Sequence, residues 1–394
     1  MSASLPTPPD DALRHSRDLT ALLQQEIAAA GGAIPFSRFM ELVLYAPGWG
    51  YYSAGARKIG ADGDFITSPE MGPLFAHTVA RAIAPVIGQI GAHAQVMELG
   101  GGTGAFAVEA MRALEKLGAL PARYAILEPS ADLRQRQAER VAAELPAEVA
   151  ARVEWLDGPI DEDWDGIVFA NEVIDALPTP RFVIADGLVW EETVRVGDTG
   201  RFEAARAPAD MLLEKAVRHL ERDLGQEFPD GYRSEVLMQL PYWLQAVAGG
   251  LKRGAMLFVD YGYVRREYYQ ADRDQGTIRA FYRHQVHNDV FAWPGLQDLT
   301  ASVDFTAMAE AGTGAGFDLA GYTNQASFLL GNGIDQALAE AESQTDAVGQ
   351  VALREQLKRL TLPSEMGERF GVIGFQRDVD FEPAFALGDL TWRL

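Results

Sequence analysis

The rhythm of apolar positions changes near Gln95. Before it, apolar residues recur at helical spacing around Leu19 to Ala30 and again around Phe36 to Tyr45, where the run stops ahead of Pro47 and Gly48. Gly31 and Gly32 supply a left-handed cap for the first of these helices. A third helical pattern follows Ser68 and Pro69, which read as N-cap and first helical residue, and should run into the low eighties. From Gln95 onward short apolar strands alternate with helices. Strands are expected near Val96 to Leu99, Tyr124 to Leu127, Val153 to Leu156 and Gly166 to Phe169, with helices near Ala105 to Leu117 and Ala131 to Leu145. This repeated βα order predicts a parallel sheet covered by helices.

Beyond Pro178 the pattern shifts to antiparallel strands, RFVIADGLVWEETVRV and RFEAARA, broken at Asp186-Gly187 and at Asp198-Thr199-Gly200. Helices from about Pro208 to Glu221 and near Val236 to Ala248 lead back to a core strand at Met256 to Val259. Late strands are expected in GFDLAGYT and FGVIGFQR, separated by a helical region around Gln325 to Leu360. The organisation this predicts is a flexible Pro-, Ser- and Asp-rich tail over 1–15, an N-terminal helical and active-site cap segment over 16–90, and a doubly wound α/β core over 91–394. Insertions fall at about 179–235 and 263–311, the second supplying a cap or substrate wall.

Charge and composition narrow the function. With 34 basic and 56 acidic residues the formal charge is -22, which disfavours nucleic acid and anionic membranes and attracts a cationic partner. Even the apolar run from Val79 to Ile90 is interrupted by Arg81 and Pro85, so no integral membrane segment is expected. The N-terminus has no secretory pattern, and its aspartates sit badly in a mitochondrial targeting helix, so the expected location is cytoplasmic. There is no cysteine, hence no disulfide, thiolate nucleophile or cysteine-bearing zinc site.

The sharpest chemical signal is VMELGGGTGAFAVEAMRAL, an apolar strand ending in Glu98-Leu99, then Gly100, Gly101, Gly102, Thr103 and Gly104, then a helix. Glycines at such a turn let the backbone approach a nucleotide. Gly100, Gly102 and Ala105 also satisfy G-x-G-x-x-A, the dinucleotide pattern, so the motif itself admits either NAD or S-adenosyl-L-methionine. Glu128 ends the next strand and suits a ribose-binding carboxylate in both classes. Asp157, ending the third strand, is placed either to meet an adenine amino group or to shape an Asp-Gly turn. Asn171 and Glu172, at the carboxyl end of the fourth strand in FANEVIDALP, are active-site candidates, whereas Asp175 and Pro178 read as loop-shaping. Tyr261 in LFVDYGY stands at another strand end, lining the opening or packing. His284 and His287 have no complete ligand set around them, so no metal site is expected. Trp49, Tyr51 and Tyr52 either cover the cofactor or join the N-terminal helices to the core.

The segments GGAIPFSRFMELVLYAPGWGYY, GDFITSPE, ELGGGTG, ILEPS, FANEVIDALP, FVDYGY, GTIRAFYRH, QDLTASVDF, GYTNQASFLL and MGERFGVIGF span most of the chain. Together they resemble the MidA and NDUFAF-type methyltransferase family, whose mitochondrial members assist assembly of respiratory complex I. The resemblance implies a seven-stranded class I methyltransferase sheet with family-specific additions, S-adenosyl-L-methionine as cofactor, and methylation of an arginine side chain in a protein substrate, with a respiratory-complex subunit among the partners considered. The missing basic extension gives the chain a bacterial look. Carried to matching positions, the cofactor residues are Glu98, Gly100, Gly102, Gly104, Glu128 and Asp157, with Asn171 beside them. Asp64, Thr67, Ser68 and Glu70 of GDFITSPE come near the site, and Asp298, Asp304 and Gln325 fit cap or substrate-wall roles, or equally helix-capping or packing ones. An arginine acceptor requires carboxylates that orient its cation, and Glu70, Glu172 and Glu235 are the candidates, with Asn171 orienting. Two alternatives stay open: a methyltransferase for a small molecule or another side chain, and an assembly factor that binds the cofactor without transferring methyl.

Overall fold

The computed structural model describes residues 5–53 and 72–394. Helix α1 (Asp10–Ala29) buries Leu19, Leu23 and Ile27 along one stripe. It starts inside the stretch expected to be a flexible tail, because Asp10 and Asp11 in its first turn complement the positive end of the helix dipole. Strand β1 (Ala33–Pro35), too short for periodicity to reveal, leads into α2 (Phe36–Tyr45). Helix α3 (Pro73–Ile90) has Pro73 at its first turn and runs through Pro85. An internal proline costs a helix about 3 kcal/mol, yet Ile83, Val86, Ile87 and Ile90 are all buried around it. Each such side chain contributes about 1.5–3 kcal/mol, so burial carries the helix past the low eighties.

The alternating segment follows as β2 (Gln95–Leu99), α4 (Ala105–Lys116), β3 (Arg123–Leu127), α5 (Ala131–Glu144), the single turn α6 (Ala147–Ala150), β4 (Val153–Leu156) and β5 (Trp164–Asn171). Ser130 caps α5 by accepting from the Leu133 amide. Then come the antiparallel β6 (Arg181–Ala185), β7 (Leu188–Val196) and β8 (Phe202–Pro208), followed by α7 (Met211–Leu224), β9 (Arg233–Glu235) and α8 (Leu240–Ala248). The core resumes with β10 (Leu251–Tyr263), α9 (Arg265–Tyr268), the short strands β11 (Arg279–Tyr282), β12 (Gln285–His287), β13 (Asp298–Thr300) and β14 (Val303–Asp304), and α10 (Phe305–Gly314). It ends with β15 (Asp318–Asn324), helices α11 (Gln325–Gly331), α12 (Ile334–Glu342) and α13 (Ala347–Thr361), and β16 (Phe370–Arg377).

The central sheet has the order β15-β16-β10-β5-β2-β3-β4, with β14 added on β10. Strands β4, β3, β2, β5 and β10 are mutually parallel, and β16 is antiparallel to both β10 and β15. One face is covered by α3, α4, α12 and α13, whose side chains pack on Val96, Ile126, Ile167 and Leu257. The opposite face takes α8 and α10 against Met97, Val168, Met256 and Phe258. The sheet is therefore doubly wound. Strand order reverses between β2 and β5, which opens a crevice at their carboxyl ends.

Around that crevice sits an accessory lobe. A five-stranded sheet runs β1-β7-β6-β9 with β8 on β7, and a three-stranded sheet runs β12-β11-β13. Leu19, Phe39, Val43, Val194, Ala280 and Leu299 share one apolar cluster, so the N-terminal helices and both insertions are cemented together. Among the described residues no helix is long and apolar enough to cross a membrane.

Candidate cofactor and acceptor site

A cavity of about 420 Å³ lies at the carboxyl ends of β2, β3, β5 and β10. Its floor is the turn between β2 and α4. Gly100 there has φ +67° and Gly104 φ +81°, and a Cβ on Gly104 would lie 3.2 Å from the Cα of Gln137. Only glycine takes this path at little cost. Gly102, with φ 52°, follows the same left-handed path.

Carboxylates face the turn. Glu98 is 3% exposed and accepts a 2.8 Å bond from Tyr124 Oη. Burial pushes its carboxyl up to about 8 against that bond. Glu128, also buried, accepts from the Ser130 amide at 3.0 Å and from Gln137 Nε2 at 3.3 Å, and burial lifts it to about 6. Gln137 also donates to the Gly102 carbonyl at 2.9 Å and receives Trp155 Nε1 at 2.8 Å, which ties the glycine turn to the Glu128 carboxylate. Asp157 lies at the rim, its side chain 97% exposed and paired with Arg134 at 2.6 Å. Arg134 also donates to the carbonyls of Leu156 and Glu128.

Past the glycine turn the lining becomes aromatic and acidic. Asn171 closes β5, and its Nδ2 donates to Glu172 Oε1 at 2.9 Å, while its buried Oδ1 has no hydrogen-bond partner among the described residues. Glu172 carries φ 54°, an uncommon value for a non-glycine residue, and its amide is fastened to Val259 at 2.9 Å. Asp175 and Asp260 are buried next, and Asp298 arrives from β13 with both carboxylate oxygens bonded by Tyr52 Oη, at 2.9 and 3.0 Å. Burial first, then Glu172, pushes Asp260 up to about 8. Tyr45, Tyr52, Tyr261 and Phe281 wall this end, with Tyr45 and Tyr52 stacked at 5.5 Å. Tyr261 donates to Thr300.

The structure thus gathers Glu98, Gly100, Gly102, Glu128, Asp157, Asn171, Glu172, Tyr261 and Asp298 around one cavity, with Gly104 holding the turn beneath it. Asp64, Thr67, Ser68 and Glu70 lie outside the described residues. One expectation is corrected, and two residues left between a substrate-wall and a structural role take the structural one. Glu235, expected on the catalytic surface, is fully buried away from this cavity, bonded to Arg181 at 2.9 Å and to the Thr277 amide at 2.7 Å. Asp304 caps α10 through the Thr306 and Ala307 amides and pairs with Arg265, so its carboxylate is committed to the fold. Gln325 is buried at the start of α11 and donates to the Leu360 carbonyl at 3.0 Å, joining two helices on the sheet's far side. His284, φ 61°, sits in the turn between β11 and β12, and His287 lies on β12. Trp49 packs on His15 at 5.4 Å, while Tyr51 and Tyr52 reach the cavity.

Sequence reasoning missed Gln137 and Arg134, which are ordinary polar positions of an amphipathic helix until β4 places Trp155 and Asp157 beside them. It set Asp175 aside as loop-shaping. The neighbouring Asp-Ala-Leu-Pro run gave a turn signal that masked a carboxylate facing the cavity.

A seven-strand order with one antiparallel strand near the edge, a glycine turn after the first core strand and a ribose-type carboxylate after the second define an S-adenosylmethionine-dependent methyltransferase of the class I fold. The chain belongs to the family of putative S-adenosyl-L-methionine-dependent methyltransferases, whose profile matches residues 78–323. It is 44% identical to a likely methyl transferase from Burkholderia thailandensis bound to S-adenosyl-homocysteine, with TM-score 0.92 over 99% of this chain and 100% of that one. The mouse protein arginine methyltransferase NDUFAF7, mitochondrial, is 30% identical over 379 residues, covering 86% of this chain and 80% of its own. The human protein of the same name is 30% identical over 372 residues, covering 86% and 79%. The dinucleotide alternative left open by the glycine pattern gives way to S-adenosylmethionine.

Proposed function

We propose that this methyltransferase modifies an arginine side chain of a protein. The observation that carries the reading is the far end of the cavity, where Glu172, Asp175 and Asp298 meet walls of Tyr45, Tyr52, Tyr261 and Phe281. A guanidinium is a planar, weakly hydrated cation that stacks on aromatic faces and takes carboxylates along its edges. The mouse and human relatives are named protein arginine methyltransferases, which supports the same class of acceptor.

The residues present fit the cofactor. Glu128 would hold the ribose hydroxyls and Glu98 the methionine ammonium. Asn171, whose Oδ1 has no hydrogen-bond partner among the described residues, is a second acceptor for that end, and Asp157 stands at the rim for the adenine edge. Bound there, S-adenosylmethionine supplies a methyl group made electrophilic by its sulfonium. The chain itself has to align the acceptor nitrogen, exclude water and take up a proton. An acceptor threading past the acidic outer surface would be drawn in by the overall charge of -22.

The test is to incubate the purified protein with methyl-labelled S-adenosylmethionine and total bacterial protein, hydrolyse the products and separate the amino acids. Label in methylarginine is the expected result. Label confined to methyllysine or to small molecules would replace the arginine assignment. Saturable cofactor binding with no labelled product from any extract would favour an assembly factor.

A further inference from the structure

Asp175 stands apart from the other carboxylates of the cavity. It is 5% exposed, and its Oδ1 has no hydrogen-bond partner among the described residues. Leaving a buried acceptor unsatisfied is costly, the more so when it is charged. Its carboxyl takes hydrogen bonds from Tyr261 and from the Ala176 amide, and the other groups around it have commitments of their own. Asp260 accepts from three backbone amides, Ile174 at 3.0 Å, Asp175 at 3.3 Å and Tyr261 at 2.9 Å, and so braces the loop that carries Asp175. Asp298 is held by Tyr52, and Glu172 is bonded to Asn171.

The Asp175 backbone is pinned as well. Its carbonyl accepts the Ala301 amide at 2.9 Å, next to the strand that bears Asp298, and Tyr45 Oη donates to the Ala176 carbonyl at 3.0 Å. A carboxylate is thus presented on a pinned loop at the wall of an aromatic-lined cavity. Burial, and then Asp260 and Asp298, raise its proton affinity well above the ordinary aspartate range.

We propose that the Asp175 carboxylate accepts the proton that the acceptor guanidinium gives up on methylation, while Asp298, oriented by Tyr52, holds the cation in place. This rests on the arginine reading and divides the labour within it. One guanidinium nitrogen bonds to the methyl carbon as the carbon–sulfur bond breaks, with sulfur keeping the electron pair. The proton on that nitrogen passes to Asp175. The acceptor leaves as a singly charged methylguanidinium, and the aspartate becomes a carboxylic acid. Without such an acceptor two positive charges would build up in a cavity shielded from water.

The experiment compares the full-length wild type with Asp175→Asn, Asp175→Glu and Asp298→Asn. Calorimetry measures S-adenosylhomocysteine affinity, then the affinity of N-ethylguanidinium for the S-adenosylhomocysteine complex, and single-turnover labelling of bacterial protein measures transfer. All variants should bind S-adenosylhomocysteine like the wild type. Asp298→Asn should weaken N-ethylguanidinium binding about tenfold or more. Asp175→Asn should bind it within about threefold of wild type yet transfer methyl about 10²–10⁴-fold more slowly, and Asp175→Glu should recover part of that rate. Should Asp175→Asn lose S-adenosylhomocysteine binding, Asp175→Glu decides: wild-type cofactor affinity with intermediate transfer supports the assignment, and loss of cofactor binding there too overturns it. N-ethylguanidinium binding with wild-type transfer by Asp175→Asn would overturn the proton assignment alone. A wild type that methylates another class of acceptor and does not bind N-ethylguanidinium would overturn the arginine reading and this inference with it.

Discussion

Gln137→Met should separate the cofactor half of the site from the rest of the molecule. Methionine matches glutamine in length and lacks its amide, so the packing under the glycine turn survives while three hydrogen bonds vanish. These are Nε2 to the Gly102 carbonyl at 2.9 Å, Nε2 to Glu128 at 3.3 Å, and the Trp155 indole to Oε1 at 2.8 Å. At about 0.5–1.5 kcal/mol for a typical bond, and with the 3.3 Å contact the weakest, stability should fall by about 1–3 kcal/mol. The effect on ligand binding comes through Glu128. Its carboxylate keeps the Ser130 amide but loses its second donor, so it must be reoriented when the ribose arrives. One such restraint is of order 1.4 kcal/mol, about tenfold in Kd. Titration calorimetry with S-adenosylhomocysteine measures this. Gln137→Glu, which sets a second carboxylate against Glu128, should bind more weakly still. Affinity for Gln137→Met within twofold of wild type would show that the glutamine merely fills space and would refute the argument.

Further outcomes follow from charge burial. Because the native Glu98 carboxyl is lifted from 4.5 to about 8, the empty protein keeps a proton that the unfolded chain has lost, so this residue's contribution to stability is present below pH 4.5 and declines as pH rises through 8. A ligand ammonium at Glu98 would expel that proton. S-adenosylhomocysteine binding at pH 7 should therefore release up to one proton, seen as an enthalpy that varies with buffer ionisation, and Glu98→Gln should abolish the variation. At the other end of the molecule, Arg181→Met leaves Glu192 and Glu235 buried at 3% and 0% side-chain exposure without their shared partner and should destabilise the fold by about 3–5 kcal/mol. Glu235→Gln should lower the melting temperature while leaving S-adenosylhomocysteine affinity unchanged, and a selective loss of transfer at unchanged melting temperature would return Glu235 to the catalytic surface.

The half of the fold that binds nucleotide was legible because its signals are local. Each of β2, α4, β3, α5 and β4 lies within about two residues of its expected limits, since apolar period and glycine turn agree with one another there. Strand β5 runs two residues further at each end, which makes Asn171 part of the strand rather than the loop. Strand β10 reaches thirteen residues because β5, β16 and β14 all pair with it, a stabilisation that no window of sequence contains. The first turns of α1 were hidden by composition, Pro and Asp reading as tail where they serve as a helix start.

The acceptor half was legible only in part, and the reason is where its residues come from. Tyr45 and Tyr52 belong to the N-terminal segment, Asp175 to the loop after β5, Tyr261 to β10 and Asp298 to the second insertion. Nothing in their spacing brings them together. Their meeting depends on an apolar cluster shared by α1, α2, β7 and the three-stranded sheet, and on the buried Arg181 that binds Glu192 and Glu235 from two other strands. Glu235 illustrates the consequence. In the sequence it is one more acidic residue near active-site motifs, and in the fold its charge is spent on joining strands. Asp175 is the converse, a turn residue by its neighbours whose carboxylate the assembled lobe sets at the cavity wall, its Oδ1 without a hydrogen-bond partner among the described residues. In this chain, the partners a carboxylate already has separate structural from chemical roles better than its distance from a motif does.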